Sequence, residues 1–160
     1  QQLIIACLSV STMHRLIAVL PLILTAVAAE CPSAEWIEYG GTNKCFKFHD
    51  TRVSHKAALT TCEADGATLV SVCSFFENQF VRGITRGRET WLQEKTSCDY
   101  RHYLQGQEPS AKKACRTVTD DWEGQWSAAD CDAEKHYVLC ELAKPQPTFE
   151  QRFRFFRRFF

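Results

Sequence analysis

The sequence predicts a single α+β domain that is held together by disulfide bonds. Two stretches with helical periodicity enclose one short apolar stretch, and only short strand-like stretches follow them. This order of elements is typical of the α+β class. The chain has 160 residues and nine cysteines, none of them in a Cys-x-x-Cys pair. So many cysteines in so short a chain indicate disulfides in an oxidising compartment rather than a zinc site.

The charge of the chain gives no support for a nucleic-acid partner. Nineteen basic and nineteen acidic residues cancel over the whole sequence. Residues 30–145 carry 14 Lys and Arg against 18 Asp and Glu, whereas residues 146–160 carry four Arg and one Glu. A mildly acidic domain is therefore followed by a basic tail.

The N-terminal 29 residues are predicted to precede the mature protein. Residues 16–29, LIAVLPLILTAVAA, are apolar and follow Arg15. This pattern is typical of a signal peptide that starts at Met13 and is cut before Glu30. Residues 1–12 would then be upstream sequence, and the protein is expected to be secreted and extracellular.

A membrane anchor is the alternative for this segment. It would also use the apolar residues 3–10, so that Arg15 would lie inside the span, which is costly. Pro21 would interrupt the helix. The signal peptide is therefore the preferred interpretation.

The domain is predicted to occupy residues 30–145 and to begin with a β-hairpin. The pair Gly40-Gly41 favours a turn, and aromatic residues flank it on both sides. These residues are Trp36, Tyr39, Phe46 and Phe48.

The first helix is predicted over residues 51–65, with a buried strand after it. Four residues near one face of this helix are small or apolar: Val53, Ala57, Ala58 and Cys62. Gly66 is placed to end the helix, and residues 67–72, ATLVSV, form the strand.

The second helix is predicted to start at a capping box and to end near Gly87. Ser74 and Glu77 have the spacing of the box, in which the serine hydroxyl caps the first turn. The face predicted to be apolar carries Phe76, Phe80 and Ile84.

The stretch from Cys115 to Glu141 is predicted to be the centre of the fold. Residues 115–119 and 137–140 are β-prone, and between them lies an acidic loop with Trp122 and Trp126. Core packing is the preferred role for both indoles, because buried aromatics dominate small cores. Stacking on a ligand ring is the alternative.

This stretch resembles the C-terminal half of a C-type lectin-like domain. In that family a cysteine opens a strand, a Gly-x-Trp-Asn-Asp segment and a second cysteine follow, and an apolar strand ends in Cys-Glu. Six residues fall on this pattern in order: Cys115, Gly124, Trp126, Cys131, Cys140 and Glu141. The strand at Trp91 and the segment 100–109 also resemble the family, so that the resemblance covers about residues 31–142. The overall sequence is similar in style to those of small secreted C-type lectins of invertebrates, including nematodes.

The resemblance implies the fold in more detail. It implies two helices packed on small antiparallel sheets, and a long-loop region that is shortened between Trp91 and Tyr100. Without Cys7 of the N-terminal segment, eight cysteines remain, and spacing alone allows 105 connectivities. The family pattern implies the bridges Cys31–Cys45, Cys62–Cys140 and Cys115–Cys131. Cys73 and Cys98 have no standard counterpart, and their pairing would close the shortened loop.

The resemblance also implies where a calcium-bound sugar would sit. The family's five ligand positions correspond to Glu108, Ser110, Lys113, Ser127 and Ala128. Only Glu108 is a strong calcium ligand, since calcium prefers six to eight oxygens and Lys113 brings a positive charge. We therefore predict that no calcium is required and that Glu108-Pro109 is a turn kept for shape. The degenerate ligand-binding site comprises Glu108, Pro109, Ser110, Lys113, Trp126 and Ser127.

Catalysis has little support in the sequence, and no enzyme activity is expected. Four histidines are scattered without a nucleophile motif or a metal-binding pair. They are His49, His55, His102 and His136.

The tail over residues 146–160 is predicted to be a disordered appendage, or else to result from a gene-model error at the end of the chain. Its residues 149–160, FEQRFRFFRRFF, mix six Phe with four Arg. The alternative is contact with an anionic membrane or glycan surface.

The sequence thus predicts a secreted recognition module that binds a cell-surface glycan or protein, in immunity or host contact. A calcium-dependent lectin with an atypical site is the first alternative. A membrane-active protein that works through its tail is the second.

Overall fold

The computed structural model describes residues 30–144, which form seven strands and two helices. In chain order they are β1 (Ile37–Tyr39), β2 (Lys44–Val53), α1 (His55–Ala64), β3 (Thr68–Leu69), α2 (Phe75–Thr85), β4 (Thr90–Leu92), β5 (Cys115–Val118), β6 (Trp126–Ala129) and β7 (His136–Ala143). This order confirms the α+β class. The predicted signal peptide and the Phe/Arg-rich tail lie outside the described residues.

The strands form one mixed sheet in the order β1-β2-β7-β4-β5-β6, and β3 pairs with β7. Every pairing is antiparallel except that of β4 with β7, which meet at Thr90 and Tyr137. The expected small antiparallel sheets are therefore present, but one parallel pairing joins them. Strand β7 pairs with β2, β3 and β4, so it is the central element of the domain.

The predicted first helix is too long at its N-terminal end. Residues 51–53 belong to β2, where Val53 pairs with His136 of β7. Sheet pairing thus overrides the helical spacing, and α1 begins after Ser54. Gly66 ends the helix as predicted, with a φ of +68° that is open to glycine.

The second helix begins as predicted, and its predicted apolar face is confirmed in part, since Phe80 and Ile84 are partly buried against the second core cluster. Ser74 Oγ accepts a hydrogen bond from the Glu77 backbone N–H at 3.2 Å, which confirms the cap. Phe76, expected on the apolar face, is 74% exposed. The buried residues are Glu77, Asn78, Val81 and Thr85. Polar side chains reach this buried face because each finds hydrogen-bond partners there.

Two hydrophobic clusters form the core on either side of β7. The first surrounds Trp91, whose indole is fully buried and donates a hydrogen bond to the Val53 carbonyl at 2.7 Å. The second contains Phe46, Leu139 and Trp126. No helix within residues 30–144 is long and apolar enough to cross a membrane.

Four disulfides tie these elements together: three are the pairs that the resemblance implied, and one joins Cys73 and Cys98, which have no standard counterpart in the family. They are Cys31–Cys45, Cys62–Cys140, Cys73–Cys98 and Cys115–Cys131. The second joins α1 to β7 inside the first core cluster. The third links the start of α2 to the loop after β4.

Candidate functional site

The loop between β4 and β5, residues 93–114, carries most of the predicted site. It is fastened at its start by the Cys73–Cys98 bridge and by charge contacts. The Arg116 guanidinium lies 2.9 Å from Glu94 Oε2, and that of Arg101 lies 3.5 Å from Oε1. The hydrogen bond from Arg116 lowers the pKa of Glu94, so this carboxylate stays ionised.

The middle of the loop runs beside β6. The Trp126 N–H donates to the His102 carbonyl at 2.7 Å, and the Leu104 N–H donates to the Trp126 carbonyl at 2.9 Å. The Ala128 N–H donates to the Gln107 carbonyl at 2.8 Å. These bonds place the segment before Glu108 against the residues that follow Trp126.

The predicted ligand positions do not converge into one polar cluster. Glu108 and Pro109 are exposed. Ser110 and Lys113 close their own turn, since the Ser110 N–H donates to the Lys113 carbonyl at 2.9 Å and the Lys113 N–H donates to Ser110 Oγ at 3.3 Å. Ser127 Oγ donates to Gln107 Oε1 at 3.3 Å. The structure therefore brings Ser127 to Gln107 rather than to the carboxylate of Glu108.

These residues do not fit a calcium ion. The five positions supply one carboxylate, and Ala128 supplies no side-chain oxygen, whereas calcium takes six to eight oxygens. The Lys113 ammonium lies 3.7 Å from Glu134 Oε1. Asp130, two residues beyond Ala128, accepts the backbone N–H groups of residues 132 and 133 on Oδ1.

One other group of potential metal ligands exists within residues 30–144, and it fails on chemistry. His49, Asp65 and Cys140 have ligand atoms within 4.8 Å of one another. Cys140 is bonded to Cys62, so its sulfur is not a thiolate. The two that remain are hydrogen-bonded to each other, with His49 Nε2 2.7 Å from Asp65 Oδ2.

Trp126 is a core residue, as the preferred interpretation held. Its side chain is 3% exposed, and the rings of Tyr100 and Tyr103 meet it edge-on at 5.5 and 5.4 Å. The indole N–H donates to Asn78 Oδ1 at 2.8 Å. It therefore offers no open face for a ligand ring, although the sequence placed it in the site.

Trp122, in contrast, was wrongly predicted to be buried, since it is 77% exposed. Side chains of α2 hold the backbone on both sides of it. Gln79 Nε2 donates to the Glu123 carbonyl at 2.9 Å, and Arg82 Nε donates to the Asp121 carbonyl at 2.8 Å. Asp121 Oδ1 also accepts the Gln125 N–H at 3.1 Å. The acidic run at Asp120, Asp121 and Glu123 was the signal in the sequence for a surface loop rather than a core segment.

A buried ionic cluster lies beneath the first turn of α2, and sequence reasoning missed it. Lys44 Nζ donates to Glu77 Oε1 at 2.6 Å, to Glu141 Oε2 at 2.8 Å and to the Ser71 carbonyl at 3.3 Å. Burial by itself lowers the pKa of Lys44, but the hydrogen bonds to Glu141 and Glu77 outweigh it and raise that pKa. The partners lie 33 and 97 residues from Lys44, too far apart for a local pattern.

His136 is clamped between two carboxylates at the start of β7. Its side chain is 5% exposed; Nε2 lies 3.1 Å from Glu134 Oε2, and Nδ1 lies 3.3 Å from Glu89 Oε2 without good hydrogen-bond alignment. Burial by itself lowers the pKa of His136, but Glu89 and Glu134 outweigh it and raise that pKa above 6.5. His55, at another edge of Trp91, has a pKa lowered by burial.

The contribution of His136 to stability should be complete below about pH 6.5 and should disappear as the pH rises through its folded-state pKa. Above that pKa the neutral ring no longer pairs with two carboxylates. Glu89→Gln should remove one of them, so that stability falls less across this range. Urea unfolding at several pH values gives the free energy of unfolding of the native chain and of the variant. His55 contributes equally to both proteins, so its opposite contribution cancels when one free energy is subtracted from the other. If the free energy of unfolding changed with pH in the same way in both proteins, the assignment would be contradicted.

Sequence comparison finds relatives among C-type lectin domains. No protein-family model matches the chain. Human C-type lectin domain family 4 member G is 28% identical over 127 residues, which cover 69% of this chain and 42% of that protein. The chain therefore spans less than half the length of this curated relative.

Solved structures resemble the domain over nearly their whole length. A calcium-independent type II antifreeze protein has a TM-score of 0.64 at 22% identity, over 72% of this chain and 96% of that one. The cow C-type carbohydrate-recognition domain of CD23, solved in the presence of an oligosaccharide, has a TM-score of 0.63 at 22% identity, over 74% and 99%. Residues 30–144 therefore have the C-type lectin-like fold, and the resemblance of the chain to the C-type lectin-like family is confirmed.

Proposed function

We propose that the domain is a recognition module that binds a glycan or a protein ligand on a cell surface without calcium. The donor set at the family's ligand positions carries the calcium part of the proposal. It offers the carboxylate of Glu108 alone, and the ammonium of Lys113 stands where a second carboxylate is needed. Two described features support a binding role. The loop over residues 93–114 is fastened by the Cys73–Cys98 bridge, and the large side chain of Trp122 is exposed on a loop that α2 holds in place.

The comparisons are consistent with this class of function. One protein of the same fold is named as calcium-independent, and another was solved with an oligosaccharide. A shared fold does not specify a ligand, so the proposal extends to proteins as well as glycans. It assigns binding to this domain and no catalytic step.

We further propose that the protein acts outside the cell, as a secreted protein in immunity or host contact. Four disulfides within 115 described residues support an oxidising compartment. The signal peptide predicted from Met13 agrees with that location. Contact of residues 149–160 with a membrane is a separate proposal, on which the described residues have no bearing.

A thermal melt of the oxidised chain in millimolar calcium and in chelator should give the same midpoint. A calcium site filled at about 100 times its dissociation constant would add roughly 2.7 kcal/mol and move the midpoint by several degrees. Glu108→Gln is the matched variant, and it should leave both melts unchanged. A calcium-dependent shift that this variant abolishes would establish the calcium-dependent alternative.

Ligand binding itself is tested on arrays of glycans and of cell-surface proteins, each with chelator present. At least one of these ligands should still bind the chain when chelator is present. Loss of every ligand in chelator would overturn calcium independence. Binding to no ligand under either condition would overturn the recognition role.

A further inference from the structure

The domain carries an exposed aromatic surface at the start of α2, which we define as Phe75, Phe76 and Trp122. Their side chains are 52%, 74% and 77% exposed. The two phenyl rings meet edge to face with centroids 5.8 Å apart. Large apolar groups gathered in one exposed place mark interaction sites more often than single ones do.

Hydrogen bonds hold the loop that carries Trp122 against the helix that carries the two phenylalanines. Gln79 follows Phe75 by four residues and Phe76 by three, so all three lie on adjoining parts of the helix surface. The Gln79 amide donates to the Glu123 carbonyl, directly after Trp122. The loop that carries the indole is therefore held against the same turns of the helix as the phenyl rings.

The loop is fixed before any ligand binds. Asn78 Nδ2 donates to the Gly124 carbonyl at 2.9 Å, in addition to the bonds from Gln79 and Arg82. A β-carbon on Gly124 would meet Asn78 Nδ2 at 3.2 Å, so helix and loop are in close contact. Binding to a fixed loop avoids the entropy cost of ordering it, and a rigid tryptophan is a typical hot spot.

The charges around Trp122 select the kind of partner. Asp120 lies two residues before Trp122 and Glu123 directly after it, and neither forms an ion pair with another residue of the range 30–144. Burial by itself raises the pKa of Asp121, but hydrogen bonds from Thr119 and from backbone N–H groups outweigh it and lower that pKa. The guanidinium of Arg82, which donates to the Asp121 carbonyl, brings one positive charge to a loop with three acidic side chains.

We propose that the aromatic surface binds a basic, apolar segment of a protein partner. An arginine or lysine of the partner would lie over the Trp122 indole, between the carboxylates of Asp120 and Glu123. Its apolar side chains would cover Phe75 and Phe76. This rests on the proposed recognition function and narrows its ligand to a protein class, at residues other than those of the degenerate sugar site.

The test uses the oxidised full chain and a synthetic, capped octapeptide in which Arg and Leu alternate, with a Glu/Leu peptide as control. Titration calorimetry should show binding of the basic peptide, weaker at high salt, and none of the acidic one. Trp122→Ala should weaken binding about tenfold or more, as hot-spot truncations do. Asp120→Asn with Glu123→Gln should reduce both the affinity and its salt dependence. Ile37→Ala, an exposed apolar residue of β1, is the matched control and should change nothing.

Each contrary result has its own meaning. Equal binding of the native and Trp122→Ala chains, or no binding of the basic peptide, would overturn the proposal. A glycan on the array whose binding requires Trp122 would also overturn it, because the surface would then recognise sugars. A ligand found on the arrays that is indifferent to Trp122→Ala would leave the recognition function standing and this inference refuted.

Discussion

Replacing Cys62 and Cys140 together by alanine should lower the free energy of unfolding by about 4.5 kcal/mol. The bridge closes a loop of 78 residues between α1 and β7, and the chain-entropy model assigns about this value to a loop of that length. Both residues are fully buried in the first core cluster, so the substitution also removes packing. Urea unfolding of the double variant measures the loss directly.

The matched control is the alanine replacement of Cys73 and Cys98. This bridge closes 25 residues, for which the same model gives about 3.5 kcal/mol. The Cys62/Cys140 variant should therefore be the less stable of the two. The reverse order would show that the long bridge does not restrict the unfolded chain as described.

Glu77→Ala is expected to cost about 3 kcal/mol of stability, the lower end of the range for breaking a buried ion pair. The lower end applies because Lys44 keeps its second partner, Glu141. The variant also leaves the Cys73 N–H without the carboxylate that accepts it at 2.8 Å. Chemical denaturation of the purified variant, monitored by tryptophan fluorescence, gives the value.

Asp50→Ala serves as the comparison for this second variant. Asp50 pairs with Arg88, but its side chain is 67% exposed, so its loss should cost less than about 1 kcal/mol. A Glu77→Ala chain that is no less stable than Asp50→Ala would mean that the buried cluster contributes nothing beyond a surface pair.

Much of the fold follows from local signals in the sequence. Ser74 and Glu77 set the start of α2, and Gly66 ends α1, because caps and left-handed positions depend on neighbouring residues alone. The hairpin around Gly40-Gly41 forms for the same reason. The strand over residues 51–53 was missed because its pairing partner lies more than 80 residues away, at His136.

The candidate site could be predicted only in part. The donor chemistry at Glu108, Lys113 and Ala128 is a matter of residue type, so it can be taken from the sequence. Burial cannot: Trp122 and Trp126 lie four residues apart in the sequence, yet one is 77% and the other 3% exposed. Asn78, fully buried on α2, decides this difference by bonding both the Trp126 indole and the Gly124 carbonyl.

The two ends of the described domain leave it at one place. Cys31 is bonded to Cys45, and the neighbouring Lys44 pairs with Ala143 at the end of β7. A mechanical force that pulls these ends apart would act on the first rungs of the β2–β7 ladder and separate them one at a time. Peeling of this kind needs less force than shearing a whole ladder at once. The Cys62–Cys140 bridge would keep residues 63–139 out of the path of this tension, so that most of the domain could not be extended while the bridge is intact.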